Sequence, residues 1–335
     1  MLFSTIVCSN HLALASILGE SIKQLMPGSK FIVCLLEKEL PSTINSYHSS
    51  FDEVVLANDI GIERFNQTIF KYNQYEASGS CKGQLFRYAY QKYPKENSFV
   101  YLDADTQVFS PFFEVSEALK SYSIVLTPHL LYPSGNGSIN DELAIMSTGI
   151  FNTGFLAIKR SKYAKEFIDW WSDRLRQFCY TDPARGLFNE QKWVDLVPVF
   201  FDQVHTLKHP GYNVANWNLF ERNIAKQDNM YLVNGVPLRF FHFSGVKKIS
   251  KILHKLNSET TLYGMEIVRH YKQMLKQNGH HKQIKIKWSY DYFDNDKPIS
   301  NRDRRIFQLN SKAQEEISDP YNESKRTFYK YRPDS

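Results

Sequence analysis

Apolar positions in the first half of the chain follow two alternating spacings. Residues 3–8 (FSTIVC) form a run rich in β-branched side chains, which predicts a strand. Leu14, Leu18, Ile22 and Leu25 then recur at helical intervals, and Pro27-Gly28 ends that stripe. Residues 31–36 and 53–56 read as the second and third strands, and residues 83–93 as a helix stopped by Pro94. Residues 98–102 form an apolar strand that runs straight into Asp103. Strands over 124–127, 154–158 and 240–243 and a helix over 161–179 continue the pattern, with Trp170 and Trp171 of that helix expected in the core. This alternation predicts an α/β fold: a mostly parallel sheet, right-handed crossovers and helices on its faces.

The segment Tyr101-Leu102-Asp103-Ala104-Asp105-Thr106 carries the strongest chemical signal. Side chains two apart on a strand share a face. Asp103 and Asp105, with Cα atoms roughly 6.5–7 Å apart, are therefore expected to converge on one hard divalent cation that also grips phosphate oxygens. The end of a strand in an open α/β sheet is also where ligands bind. Two chemistries fit. One is the DxD of nucleotide-sugar transferases; the other is the DxDxT of haloacid-dehalogenase-like phosphatases, which Thr106 completes. The phosphatase needs its acids on the first strand and a second acidic pair downstream. Here at least two predicted strands come first, and no Asp-Asp or GDxxxD follows.

With 335 residues, 42% of them hydrophobic, the chain can bury a large core, which excludes wholesale disorder. Aromatics reach 15%, a level that suits polar clefts with flat apolar walls. The longest clean apolar run, residues 31–36, falls far short of the roughly 20 residues of a bilayer span. The N-terminal stretch lacks the pattern of a secretion signal. A cytoplasmic location is expected. Cys8, Cys34, Cys81 and Cys179 show no paired spacing, so neither a disulfide framework nor a zinc knuckle is indicated. The net charge of +6 belongs wholly to residues 251–335, which hold 17 Lys and Arg against 11 Asp and Glu. That shift divides the chain into a first domain, 1–250, which carries the acidic segment, and a basic, aromatic-rich extension, 251–335. Such an extension suits an anionic membrane surface or an anionic glycan carrier. No nucleic-acid-binding motif accompanies it, so nucleic acid is not an expected partner.

Four blocks, in order, resemble glycosyltransferase family 8, a family of GT-A fold enzymes. They are the strand ending in Cys8-Ser9-Asn10-His11, Tyr101-Leu-Asp-Ala-Asp105, Phe151-Asn-Thr-Gly-Phe155 and Phe241-His-Phe-Ser-Gly-Val-Lys-Lys248. A weaker fifth block is Phe188-Asn-Glu-Gln-Lys192. The resemblance covers residues 3–250. It departs from the family at Ile249-Ser250, where Pro-Trp is usual after the lysine, and at Glu190, where Asp is more common.

The resemblance implies a GT-A fold, Rossmann-like with a mostly parallel central sheet flanked by helices, followed by a helical or irregular extension. It implies transfer of a hexose or N-acetylhexosamine from a UDP-sugar to a glycan or lipid-linked oligosaccharide in bacterial surface polysaccharide or lipopolysaccharide synthesis, with retention favoured over inversion. Mn²⁺ or Mg²⁺ would be held by Asp103, Asp105 and His242, the imidazole favouring manganese. Cys8, Ser9, Asn10, Lys82, Ala104, Asn152 and Gly154 would meet the donor. Gly245 would let backbone approach phosphate, and Lys248 would supply positive charge. Gln191 would face the anomeric carbon with Glu190 beside it. An inverting reaction needs a carboxylate base, for which Glu190, Asp141, Glu142 and Asp202 stay equally open. Residues 209–217 mix aromatics with amides and suit an acceptor pocket. Peripheral contact with the inner face of an anionic membrane would run through the extension. A non-catalytic nucleotide-sugar or glycan-binding domain on the same fold is the remaining alternative.

Overall fold

The computed structural model of the chain describes residues 1–47, 49–133 and 139–324, so residues 325–335 of the basic extension lie outside the described residues. The strands alternate as their sequence dictates. Leu2 and Ile6 of β1 (Leu2–Val7) face one core, and Phe3 and Val7 face the other. Ile32 and Cys34 of β2 (Lys30–Leu35) oppose Phe31, Val33 and Leu35 in the same way. With β3 (Glu53–Leu56), β4 (Ser98–Leu102), β6 (Ile124–Pro128), β7 (Phe151–Lys159) and β8 (Val204–Thr206) they form one seven-stranded sheet in the order β8-β6-β7-β4-β1-β2-β3. β7 is antiparallel to both of its neighbours, and the remaining pairs are parallel. Both faces are covered, as a largely parallel sheet requires.

Between β4 and β6, the short β5 (Thr106–Val108) leaves this sheet. It pairs with β10 (Phe240–His242), which pairs in turn with β9 (Val214–Ala215). One core lies under α1 (Leu12–Leu25) and this small sheet. The opposite core is capped by α3 (Lys82–Lys92) and α5 (Lys162–Phe178), with α2 (Gln74–Ser80) just before α3. In α5, Phe167, Ile168, Trp171 and Leu175 fall on one buried stripe, and Ser161 caps the helix by accepting from the Ala164 amide. Trp171 is fully buried; Trp170 is only partly so and packs on Trp193, Phe200 and Phe201.

The polypeptide after residue 250 packs on both layers. Following α7 (Val246–Leu253), α8 (Ser258–Gln277) puts Ile267, Val268 and Tyr271 into the first core. Trp288, Tyr290, Phe293 and Tyr321 enter the second, together with Phe307 of α9 (Asn301–Gln308). The Trp288 indole donates to the Leu36 carbonyl at 2.9 Å.

Candidate active site

β4 ends at Leu102, where its partner β7 reaches Phe155. The Asp103 amide still donates to the Gly154 carbonyl, and the chain then turns: the Thr106 amide and hydroxyl both donate to the Asp103 carbonyl, at 3.1 and 2.8 Å. The two acids therefore share a turn and not a strand face, which corrects the alternation argument. They converge because the turn curls toward β10. Register does the rest. His242 lies opposite Thr106 in the β5–β10 pair, and the Phe243 amide donates to the Asp105 carbonyl at 2.7 Å. His242 Nε2 thus comes 3.0 Å from Asp105 Oδ1 and 3.9 Å from Asp103 Oδ2. One ligand atom from each of the three residues lies within 4.8 Å of the other two.

The other ring nitrogen, Nδ1, meets Asn213 Oδ1 at 3.2 Å. With Asn213 Oδ1 as acceptor, Nδ1 carries a proton, so a cation at this cluster would take Nε2 in place of the proton that Nε2 shares with Asp105. Asn213 is buried, with φ 51° in the left-handed region that Asn tolerates, and Trp217 sets its edge against the imidazole at 5.1 Å. Burial opposes a charge on His242, yet Asp105 outweighs it and raises the imidazole pKa. Asp105 is lowered in turn, against its own burial, by His242. Two carboxylates and an imidazole suit a divalent ion of the manganese or magnesium kind. Gly154 makes the room: a Cβ there would lie 2.6 Å from His242 Cε1 and 2.9 Å from Asp103 Oδ2.

A second charged group lies against the first. Lys82, at the start of α3, is buried with its ammonium 2.7 Å from Glu190 Oε1, 3.0 Å from Asp103 Oδ1 and 3.1 Å from the Thr153 carbonyl. Burial works against that charge, but Asp103 and Glu190 hold the lysine pKa well above its ordinary value. Burial likewise opposes ionisation of Glu190, and Lys82 overcomes it, so the carboxyl pKa is lowered. Glu190 Oε1 also accepts from the Thr153 hydroxyl at 2.7 Å, whereas Oε2 has no partner among the described residues. Gln191 opens α6 (Gln191–Val194). Its oxygen accepts from Asn152 Nδ2 at 3.1 Å, and its Nε2 donates to the Thr148 carbonyl at 2.9 Å. Asn152 Nδ2 also meets His129 Nε2 at 3.2 Å, while His129 Nδ1 faces the Ile150 carbonyl at 3.3 Å. Burial, first of all, pushes the His129 pKa down to about 4.

These groups border a cavity of about 1010 Å³. Of the residues expected at the donor, Cys8, Lys82, Ala104, Asn152 and Lys248 line it, as do Glu190 and Gln191. Ser9, Asn10, Gly154 and Gly245 stand behind the wall. The Ser9 amide donates to Glu37 Oε1, Asn10 Oδ1 accepts from Gln74 Nε2, Gly154 clears the carboxylate–imidazole cluster, and Gly245 begins α7 with φ 64°. Of the possible bases only Glu190 and Asp141 reach the cavity; Glu142 and Asp202 are not part of its lining. The 209–217 loop contributes Asn216 and Trp217 to the wall and Asn213 behind His242. Sequence reading missed Tyr75, which stands 61% exposed in the cleft, and Asp291 and Asn301 from the extension. Tyr75 lies within an Asn73-x-x-Glu76 capping box that marks a helix start, a signal that was present but points to no ligand.

An acidic turn after the fourth strand of such a sheet, with an imidazole brought to it by an antiparallel return strand, places the chain among the GT-A fold nucleotide-sugar glycosyltransferases. Residues 5–249 match glycosyl transferase family 8, and the chain belongs to that family. The uncharacterized protein YfnD of Bacillus subtilis (strain 168) is 26% identical over 256 residues, covering 74% of this chain and 79% of YfnD. YfnF of the same strain is 27% identical over 182 residues, which is 54% of this chain and 60% of YfnF, so less than two thirds of that relative is spanned. Among solved structures, an active-site mutant of LgtC shares the fold at TM-score 0.50 and 14% identity, covering 83% of this chain and 96% of that one. Membership in this family sets the phosphatase and non-catalytic readings aside. Among the described residues no helix is long and apolar enough to cross a membrane.

Proposed function

We propose that the chain transfers a hexose or N-acetylhexosamine from a UDP-sugar to a glycan acceptor, with retention, in the assembly of a bacterial surface polysaccharide. The observation that carries this reading is the meeting of Asp103, Asp105 and His242 at the wall of a cavity large enough for a nucleotide sugar. Those three residues would hold Mn²⁺ or Mg²⁺, which when bound supplies charge to stabilise the departing diphosphate. Lys248 adds positive charge from the first turn of α7. Lys82 holds Glu190 ionised beside Asp103, and the pair braces the wall next to the donor sugar. Gln191 ties the β7 floor to Thr148, at the end of α4 (Ile139–Thr148), and so positions both walls around the reacting carbon. Glu190 is clamped by Lys82 and Thr153 and is no free base, so an inverting reaction would fall to Asp141, the other candidate base in the cavity wall.

The test is incubation of the purified chain with UDP-Glc, UDP-Gal, UDP-GlcNAc and UDP-GalNAc, with and without Mn²⁺. Metal-dependent binding and slow donor hydrolysis are expected for at least one donor, and silence across all four would refute the reading. Asp105→Ala should abolish both while the circular dichroism spectrum stays native. Proton NMR of the first-formed anomer reads the stereochemistry directly.

A further inference from the structure

A second cavity, of about 370 Å³, lies beside the first. Asn73, the N-cap of α2, and Asn301, the first residue of α9, belong to the walls of both. Much of the remaining wall is Arg304, Arg305 and Gln308 of α9, a helix beyond the stretch that matches the family. Three cations, Lys71, Arg304 and Arg305, share this wall with two acids, Glu76 and Asp182, and among the described residues Lys71 and Arg305 lack a close ionic partner. Lys71 is only 9% exposed, its ammonium donates to the Arg176 carbonyl at 2.7 Å, and it forms no ion pair among the described residues. Burial first, and then Arg176, push its pKa down to about 8. Arg305 is half exposed, bonds Gln308 Oε1 at 2.8 Å and reaches Asp182 only at 4.0 Å. Arg304, by contrast, is fully engaged with Asp291 and with the Phe70 and Tyr290 carbonyls. Glu76, an acid in this wall, is spent on backbone: its two oxygens accept from the Thr181 and Asn73 amides.

A buried ammonium whose partners are one carbonyl and the face of the Tyr72 ring, 5.5 Å away, is costly to keep charged, and a nearby anion lowers that cost. A guanidinium with unused N–H groups across the same cavity supplies the directional half of a carboxylate or phosphate site. We propose that this second cavity is an anion subsite for the acceptor. It would hold a carboxylate or phosphate that the acceptor carries beyond the hydroxyl receiving the sugar. The inference rests on the transferase reading and fixes the acceptor class as an acidic glycan or a phosphate-bearing carrier. It also gives the extension a part in specificity, through Arg305 and Asn301.

The experiment is calorimetric titration of the full chain with methyl phosphate and, separately, methyl glucuronate, with the donor cavity already filled by UDP and Mn²⁺. UDP binding is measured first, so its failure strikes the transferase reading and not the subsite. At least one of the two anions should bind, and the tighter one names the source. Arg305→Gln should weaken that binding about tenfold or more, the loss of a charge-assisted hydrogen bond. Lys71→Met should weaken it too and, without anion, should melt at a higher temperature than the wild type, because an isolated buried charge is gone. Binding of neither anion, or equal binding by wild type and Arg305→Gln, overturns the proposal. A Lys71→Met chain that melts lower than the wild type makes Lys71 a structural residue and overturns its part.

Discussion

Lys82 and Glu190 form an ion pair that water scarcely reaches, and removing one partner leaves the other charged in a medium that cannot solvate it. Lys82→Met should therefore destabilise the fold by ~3–5 kcal/mol. The Lys82→Met, Glu190→Leu double variant should recover much of that while staying inactive, and urea denaturation of all three chains checks it. Gly154 answers to sterics: with His242, Asn152 and Asp103 all inside 3 Å of a methyl placed on its Cα, Gly154→Ala should cost ~1–3 kcal/mol and abolish Mn²⁺ binding, read by electron paramagnetic resonance. His129 gives a pH signature. Its folded pKa of about 4 lies below the ordinary 6.5, so as pH falls through 6.5 the unfolded chain takes up a proton first. Stability is whole above that pH and should fall by ~3 kcal/mol on approach to pH 4, at about 1.4 kcal/mol per pKa unit. A His129→Asn chain should show a shallower loss across the same range in denaturation curves. At this scale the clustering of Asp103, Asp105 and His242 was legible because carboxylates after an apolar strand and an imidazole before a glycine are chemically conspicuous. Asn213 and the pairing of Lys82 with Glu190, 108 residues apart, were not, since only folding brings them together.

Six of the seven strands of the large sheet were legible element by element, because burial on both faces writes near-continuous apolar runs. What the pattern hid was the edge strand β8, only three residues long, and β5, equally short, whose pairing with β10 sets the cluster's geometry. A strand that short carries no period, and the acidic segment before it reads as a strand extension when it is a turn. α4 was hidden for the opposite reason: none of its residues is buried, and Ile139, Leu143 and Met146 are exposed to solvent at 62%, 53% and 68%. Its apolar residues form no stripe against a core. Lys192 on the Met146 carbonyl and Gln191 on the Thr148 carbonyl tether its C-terminal half. Amide hydrogen exchange should accordingly be far faster over 139–148 than over α5, whose stripe is sealed against the sheet. Equal protection of the two helices would contradict the account.

For the molecule as a whole, the charge shift near residue 250 marks a change of surface more than a change of core. Trp288, Tyr290, Phe307 and Tyr321 share a core with β1 and β2, so a chain cut at residue 250 would lose part of its interior along with its charge. Truncation is therefore a poor probe of membrane association, and charge reversal is the sound one. Between Glu266 and Asp291 there is no acidic residue, while Arg269, Lys272, Lys276, Lys282, Lys285 and Lys287 are all exposed. Ile284 and Ile286, 55% and 44% exposed, interleave the last three. This stretch sits by the N-terminus of α1, where Gln283 accepts from the Ala13 amide, close to the cavity-lining His11. Basic side chains near an anionic surface contribute about 1 kcal/mol each, and isoleucines can enter the headgroup layer. Reversing Lys282, Lys285 and Lys287 to Glu leaves every buried aromatic in place. It should weaken co-sedimentation with phosphatidylserine vesicles at least a hundredfold (~3 kcal/mol for three charges), with no change in melting temperature. Wild-type binding should also fall steeply with added salt. Undiminished sedimentation of the triple variant at low salt would remove this surface as a membrane contact and leave residues 251–324 with a role in the core and in the wall of the site.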